Sequence, residues 1–593
     1  MDRNLHESLD DHTLHPTVRA ERLHLALALI LAVAAFVRCV GLDALPPPLN
    51  ADEASRGYDA WALLETGADR HGQRWPFFLE SYGPGDFSAA LSTYLTIPFI
   101  ALLGLTPVAM RLPDALLSTC TVLLLFVFVR RHLGDRAALG AALILALDPW
   151  HIGLTRTAHE SGFAPVFLLM GLLGLDRAGL LGDSEATSEP RAGSNPMIAA
   201  AIGGLALAMH TWVYPATRLF TPLFAIAIAV IYRRELRRRM QSPAERGVLL
   251  SALTALLIGA IPLIATALRQ PEQLAARANI TLLSSEDGRL QWARNVTANY
   301  WQNVSPRDWY WQCDDMTGVL LPGIGRHLIV TAPAFLLGLI VLLGRVRRDR
   351  WAQLLIAWLL LFPLPAAICR DWNPHPMRTV AGMALYPVVC AVGLEAFVAW
   401  VNRRRRRVSE RIDGSAPLPR AMVAVGATAL LVNAAVIGER YVRIITTDGA
   451  ISYQTALINA MRFAARQSPG DQFILVTNRC VQPYIYALLE EPIAPSRLAA
   501  LDRVTVPGRL RFDEVLRLGR YYFAPKEPAN AMEAMQRFRE IWSAVPADSV
   551  GLLIARCEEG GVGELLATFK VGQGGQFQDC YGVWRATRSA LSD

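Results

Sequence analysis

A mainly α-helical membrane protein, with about eleven transmembrane helices and a C-terminal soluble α/β domain, is predicted by three observations. Apolar residues make up 53% of the 593-residue chain and charged residues only 18%, against about a quarter charged in soluble proteins. Apolar runs near the ~20 residues needed to cross a bilayer recur up to residue 437. Beyond residue 438 the pattern changes to short strand-like runs and amphipathic helices.

The apolar runs are 23–42, 112–129, 137–150, 162–181, 197–213, 217–232, 247–268, 327–344, 351–368, 379–401 and 421–437. A twelfth, 88–104, is ambiguous by hydropathy, and charge placement resolves it. If it does not span, the segments on the side of the N-terminus hold 25 arginines in 88 residues. The opposite segments then hold 13 in 152. Cytoplasmic loops collect arginine and lysine, so 88–104 is expected to be membrane-associated without crossing. The N-terminus (1–22) is then cytosolic and the C-terminus exoplasmic. The first apolar run continues to Leu42 without a clear cleavage site and reads as an uncleaved span. The net charge of +7 reports this orientation rather than nucleic-acid binding, because the basic runs are short and adjoin spans.

Three regions fall on the outer side: a long first loop (43–111), an aromatic loop (269–326) and the tail (438–593). The aromatic loop carries Trp292, Tyr300, Trp301, Trp309, Tyr310 and Trp311, which suits an interfacial belt or a cover over a prenyl chain. In the tail, 473–478 and 550–555 read as strands and 530–543 as a helix. Five outward cysteines (Cys313, Cys369, Cys480, Cys557, Cys580) sit where disulfides are permitted. Cys557 with Cys580 is the expected pair.

The segment 50–87 is the most informative. Asp52 and Glu53 directly follow the first span. Ala54, Tyr58, Trp61 and Leu64 share one helical face, placing Asp52 at the helix N-terminus, where the dipole favours a carboxylate. A simple N-cap role is the competing explanation. A second acid, Glu160, follows the third span with Arg156 and His159. Arginines on the outer side run against the charge trend. Arg218 lies one turn from Tyr214, and Arg370, His375 and Arg378 share the loop 369–378. Guanidinium binds phosphate bidentately and stays charged, so these residues are donor-phosphate candidates, with Arg218 and Arg378 first. Snorkelling to the interface is the alternative for each.

The run Asp52-Glu53-Ala54, Gly57-Tyr58-Asp59-Ala60-Trp61, Thr66-Gly67, His71-Gly72 and Trp75-Pro76, followed by Arg111-Leu112-Pro113, resembles the bacterial branch of the polytopic GT-C glycosyltransferases. That branch is family 39-like and includes protein O-mannosyltransferases and lipid A aminoarabinose transferases. The resemblance covers roughly residues 20–400. It implies a GT-C fold with juxtamembrane helices in the first outer loop, and Asp52 as catalytic base with Glu53 beside it. It implies Glu160 as second acid in an R-x-x-x-(D/E) pattern from Arg156. Relatives often carry a basic residue before a proline in the first loop, used on the lipid phosphate. Residues 80–87 contain none here, so the phosphate contacts are expected elsewhere.

The reaction so implied moves a hexosyl or pentosyl group, with inversion, from a polyprenyl-phosphate sugar to a hydroxyl of a lipid, glycan or protein acceptor. It would take place on the outer face of the bacterial inner membrane. Asp52 takes the acceptor proton, and arginines hold the leaving phosphate. Glu160 and Glu53 either orient the acceptor or, with Asp52, hold a divalent cation such as Mg or Mn, which the chemistry does not require. The rival readings are a polytopic transporter or flippase and a non-catalytic protein of the same fold. A transporter's two related halves are not seen, and retention of Asp52, Glu53 and Glu160 argues against the non-catalytic reading.

Overall fold

The computed structural model describes residues 16–83, 86–182, 195–284, 288–312, 323–370, 373–409, 418–446, 454–467, 472–477, 482–498, 500–508, 512–526, 528–571 and 579–591. Each of the eleven expected segments coincides with a helix or a bent pair of helices. By length and apolar composition alone, six described helices can cross a membrane, or nine if each bent pair is one span. The two remaining segments are helices of 14 residues, Ala164–Arg177 and Ala332–Arg345. The count of eleven therefore exceeds what helix length supports. The run 137–150 is broken where Asp148 and Pro149 restart the helix, and 247–268 bends just before Pro262.

The bundle begins with α1 (Pro16–Cys39), which leads into the loop carrying α2 (Ala51–Thr66), the two-stranded hairpin β1–β2 (Phe78–Glu80, Phe87–Ala89) and α3 (Leu91–Leu103). At 13 residues with Pro98 inside, α3 is too short to span, in line with the expectation for 88–104. Next come α4 (Pro107–Leu133), α5 (Asp135–Ala146), α6 (Pro149–Arg156), α7 (Ala164–Arg177), α8 (Pro196–Val213) and α9 (Pro215–Ile231). Proline at the first helical position starts α4, α6, α8 and α9, where its missing N–H costs nothing. The pair α5–α6 bends by 51° at Asp148. The freed groups are satisfied from neighbours. Arg38 on α1 donates to the carbonyls of Leu145 and Ala146 at 2.9 and 2.8 Å, and Asp148 pairs with His327 at 2.6 Å. Helices approach closely through small residues, as is usual where lipid removes the hydrophobic drive to pack. A Cβ at Gly203 on α8 would lie 2.8 Å from the backbone nitrogen of Leu175.

The last bundle helix, Leu418–Thr446, runs beyond the expected boundary at 438. The domain after it, described from residue 454, is a mixed seven-stranded sheet of order β4-β5-β6-β3-β7-β9-β8. Its strands are β3 (Ile474–Val476), β4 (Arg503–Pro507), β5 (Asp513–Leu518), β6 (Tyr521–Phe523), β7 (Val550–Arg556), β8 (Glu564–Val571) and β9 (Asp579–Thr587). Strand β3 runs parallel to β6 and β7, and the other pairs are antiparallel. Both strands and the helix expected from the sequence are present, the helix as Ala531–Ser543. Cys557 and Cys580 form the expected disulfide. Cys369 is buried, in the thiol form, and donates to the Pro365 carbonyl, and Cys313 and Cys480 lie outside the described residues.

The sheet domain docks on the loop between α1 and α4. One hydrophobic cluster joins Leu49, Tyr58 and Met110 to Ile458, Met461 and Tyr484. Tyr58 donates to the carbonyl of Ile493 at 2.6 Å, and the backbone N–H of Asp513 donates to that of Tyr82 at 2.6 Å. The aromatic segment is split by environment. Trp301 and Trp311 are exposed, whereas Trp309 is buried edge-on against His327 and Tyr386.

Candidate active site

The start of α2 is built by Asn50, which caps the helix, and Glu53, whose side chain returns to the Asn50 N–H at 2.9 Å. This capping box leaves Asp52 free of the N-cap role. Asp52 is exposed and makes no hydrogen bond or ion pair among the described residues. Glu53 is different. Its two oxygens take Arg111 Nε and Nη2 at 2.7 and 3.0 Å, and Arg111 also holds the carbonyls of Leu42 and Pro46. Both side chains are fully buried. The catalytic role expected for Glu53 is therefore corrected to a structural one: it anchors α2 to α4. Removing one partner from such a pair strands a buried charge, so Arg111→Ala is expected to cost about 3–5 kcal/mol. A thermal melt of the purified protein in detergent checks this.

Arg156 is corrected in the same way. Its guanidinium donates to the carbonyls of Val37, Val40, Gly41 and Leu45 at 2.6–3.2 Å. It thus satisfies the orphan carbonyls at the end of α1 and is not a phosphate ligand. It also fixes the next segment. Ala158 is held at φ +45°, a conformation a non-glycine residue rarely adopts. The chain then turns through His159 into the short 3-10 helix Glu160–Phe163.

Glu160 is the centre of the site. Burial pushes its carboxyl up to about 8, against the lowering influence of Arg56 and Arg218 and with a further raising contribution from Asp52 and Asp86. Four charged groups, two of them on α2, thus act on Glu160 here. Arg56, on α2 four residues after Asp52 and so on its face, pairs with Asp114 of α4 at 3.5 Å. Asp114 packs on the Glu160 turn, since a Cβ at Gly162 would lie 2.8 Å from its Oδ1. Arg56 Nε and Nη2 and both oxygens of Asp114 are buried without hydrogen-bond partners among the described residues. Arg218, at the start of α9, rests over the Phe78 ring at 4.9 Å, and its Nε and Nη2 are likewise unpartnered. Two guanidiniums beside one acid therefore present buried, unused donors. Such groups are rare and costly in folded proteins unless a ligand meets them.

The remaining candidates divide. Tyr214 joins α8 to α9 in the expected tight turn and meets the His159 ring edge-on at 5.8 Å. His375 and Arg378 are buried in a turn held by Asn303, whose Oδ1 accepts from the His375 N–H at 2.9 Å. Met377 and Val380 of that turn share a cluster with Phe163 and Val213, which brings it against the Glu160 segment. Arg370 is exposed and joined through its backbone to Thr281. No group of three or more His, Cys, Asp or Glu side chains among the described residues is placed to hold a metal. Asp52 and Glu160 alone fall short of the oxygen-rich shell that a hard cation takes. Sequence reasoning missed Arg56 and Asp114; the four-residue spacing of Asp52 and Arg56 was the available signal.

No family model and no curated protein sequence matches this chain. Among solved structures, ArnT from Cupriavidus metallidurans in the apo state superposes over 95% of this chain and 98% of its own, with a TM-score of 0.52 at 12% identity. The same protein bound to undecaprenyl phosphate covers 94% and 97%, again with a TM-score of 0.52 at 12% identity. The fold is GT-C. The oligosaccharyltransferase of Archaeoglobus fulgidus tethered with an acceptor peptide also matches, over 91% of this chain and 69% of that one, with a TM-score of 0.48 at 11% identity. The agreement with ArnT extends through both the helical bundle and the sheet domain.

Proposed function

We propose that this chain is an integral-membrane glycosyltransferase that moves a sugar from a polyprenyl-phosphate donor to an acceptor hydroxyl, with inversion. The observation that carries the reading is the pair of buried guanidiniums, Arg56 and Arg218, with unused donors beside Glu160 and near the exposed, unengaged Asp52. ArnT, of the same fold, has been solved with undecaprenyl phosphate, and a phosphate monoester offers the oxygens these donors lack. The arginine asymmetry supports an N-terminus in the cytosol, with the site and sheet domain on the outer side of a bacterial inner membrane. The partners are then a polyprenyl-phosphate sugar, membrane lipid and a lipid, glycan or protein acceptor.

In this mechanism Asp52 takes the proton of the acceptor O–H as its oxygen bonds to the anomeric carbon. The bond from that carbon to the phosphate oxygen breaks, and polyprenyl phosphate leaves with the electron pair. Charge growing on the phosphate is met by Arg56 and Arg218. Glu160 is neutral below about pH 8, so it does not compete for the two guanidiniums. No step is assigned to a metal ion. Whether the sugar is a hexose or a pentose depends on pocket shape.

The direct test is incubation of the purified chain with radiolabelled polyprenyl-phosphate mannose, glucose or arabinose and a membrane-lipid extract as acceptor source. Release of polyprenyl phosphate with label passing to a second molecule is expected. Movement of intact labelled lipid across a vesicle membrane, without cleavage, would support the flippase reading instead. A pH prediction follows from Glu160. Raising pH through about 8 ionises it, and the new carboxylate then occupies the guanidiniums. Undecaprenyl phosphate binding should weaken between pH 7 and 9 in the wild type and less steeply in Glu160→Gln, where only Asp114 remains beside Arg56. Titrations at the two pH values check this, and parallel profiles would count against the assignment.

A further inference from the structure

A cavity of about 280 Å³ lies where the first loop meets the sheet domain, with walls from His71, Glu80, Tyr82, Tyr484, Arg503 and Asp513. We infer that it is the acceptor subsite and that it takes a neutral, hydroxyl-rich ring, so that the acceptor is a saccharide. This rests on the glycosyltransferase reading above and adds to it the class of the acceptor.

The lining sets the ligand chemistry. Glu80 and Asp513 supply carboxylate acceptors, and Arg503 supplies donors while lying over the Tyr484 ring at 5.5 Å. Four buried polar atoms of the lining, His71 Nε2, Tyr82 Oη, Tyr484 Oη and Arg503 Nε, have no hydrogen-bond partner among the described residues. Burial, with Arg70 and Arg503, holds the imidazole neutral, its pKa lowered to about 2, and a hydrogen bond to the Glu80 backbone leaves Nε2 as the ring nitrogen open to a ligand. Hydroxyl groups donate and accept alike and match this mixed set. An anion does not, because Glu80 and Asp513 line the cavity and Arg70, the second guanidinium nearby, is already committed to Asp59 and the Ser81 carbonyl. Tyr82 and Tyr484 add aromatic faces of the kind that pack on the C–H faces of sugar rings. The volume is at the lower end for small-molecule pockets, about 300 Å³, and suits one ring rather than a chain.

Position supports the assignment. Tyr82 is common to the cavity and the catalytic region: the charge of Asp52 acts on its hydroxyl, and after burial is the main influence raising its pKa. The Asp513 N–H bond to the Tyr82 carbonyl fixes the two walls to each other. A ring held here presents a hydroxyl on the Asp52 side. The donor phosphate sits with Arg56 and Arg218, on other elements.

The test uses the full chain in detergent and saturation-transfer NMR with methyl glycosides of glucose, mannose, galactose and arabinose as probes. At least one is expected to bind the wild type. Asp513→Asn and Arg503→Ala are each expected to weaken it tenfold or more, with undecaprenyl phosphate affinity unchanged. Binding is expected to persist when polyprenyl-phosphate mannose saturates the protein. If no glycoside binds while undecaprenyl phosphate does, the subsite is refuted and the functional reading stands. Unchanged binding in both variants refutes the location, and displacement by the lipid-linked sugar shows that the cavity serves the donor. If undecaprenyl phosphate itself fails to bind the wild type, the functional reading falls and the acceptor assignment falls with it.

Discussion

Asp52→Asn is expected to lower transfer by about 10²–10⁴-fold, the range for loss of a positioned general base, with little effect on stability or on undecaprenyl phosphate binding. The reasoning is local. Asn50 caps α2 and Glu53 anchors it, so the Asp52 carboxylate does no structural work that asparagine would fail to do. The substitution keeps size and shape and removes only the ability to take a proton. Rates measured with saturating donor isolate the chemical step. Full turnover in a variant that melts like the wild type would rule Asp52 out as the base. The contrast with Arg111→Ala is informative, because that change should lower stability first and activity only in consequence.

Arg218→Ala carries the second large effect. Each hydrogen bond to a charged group contributes about 1.5–3 kcal/mol, which corresponds to a 10–100-fold weaker affinity for undecaprenyl phosphate. Because the Arg218 donors are unpartnered without ligand, its removal should leave the ligand-free melting temperature within a few degrees of the wild type. Arg218→Lys should recover only part of the binding, since a point charge does not reproduce the planar fork. A drop in stability as large as that of Arg111→Ala, with donor affinity intact, would show that Arg218 is a structural residue. The double variant with Arg56→Ala should lose more than either alone, as expected for two groups holding one phosphate.

Much of the architecture was legible because its causes are local. Apolar runs near bilayer length mark the bundle helices, and the 13 residues of α3 agree with the arginine placement in making it too short to span. In the tail, β3, β7 and Ala531–Ser543 follow from alternation and helical periodicity. Asp52 and Glu160 were found because two acids recur just after hydrophobic segments. What was not legible depends on partners distant in sequence. Charge counting shows that Arg156 is in an unusual place, but its acceptors are carbonyls more than a hundred residues earlier. Glu53 looked like a companion to Asp52 until Arg111 arrived from another helix. Arg56 was passed over for the opposite reason: that its Nε and Nη2 lack hydrogen bonds while it pairs with Asp114 is visible only when every neighbour is known. Helix interruptions such as the bend at Asp148 are also tertiary, since Arg38 and His327 stabilise the break from outside the segment.

The bond from Tyr58 to Ile493 has a thermodynamic consequence. Tyr58 and Asp52 belong to the same short helix, and Ile493 belongs to the sheet domain. Any molecule that orders the sheet domain therefore also narrows the ensemble of the helix that carries Asp52. Coupling of this kind is reciprocal in free energy. Filling one side of the junction should raise affinity on the other by the same factor, so donor and acceptor would bind cooperatively. On the proposed function the sheet domain is then part of the transferring unit, and severing it should weaken undecaprenyl phosphate binding at a distance.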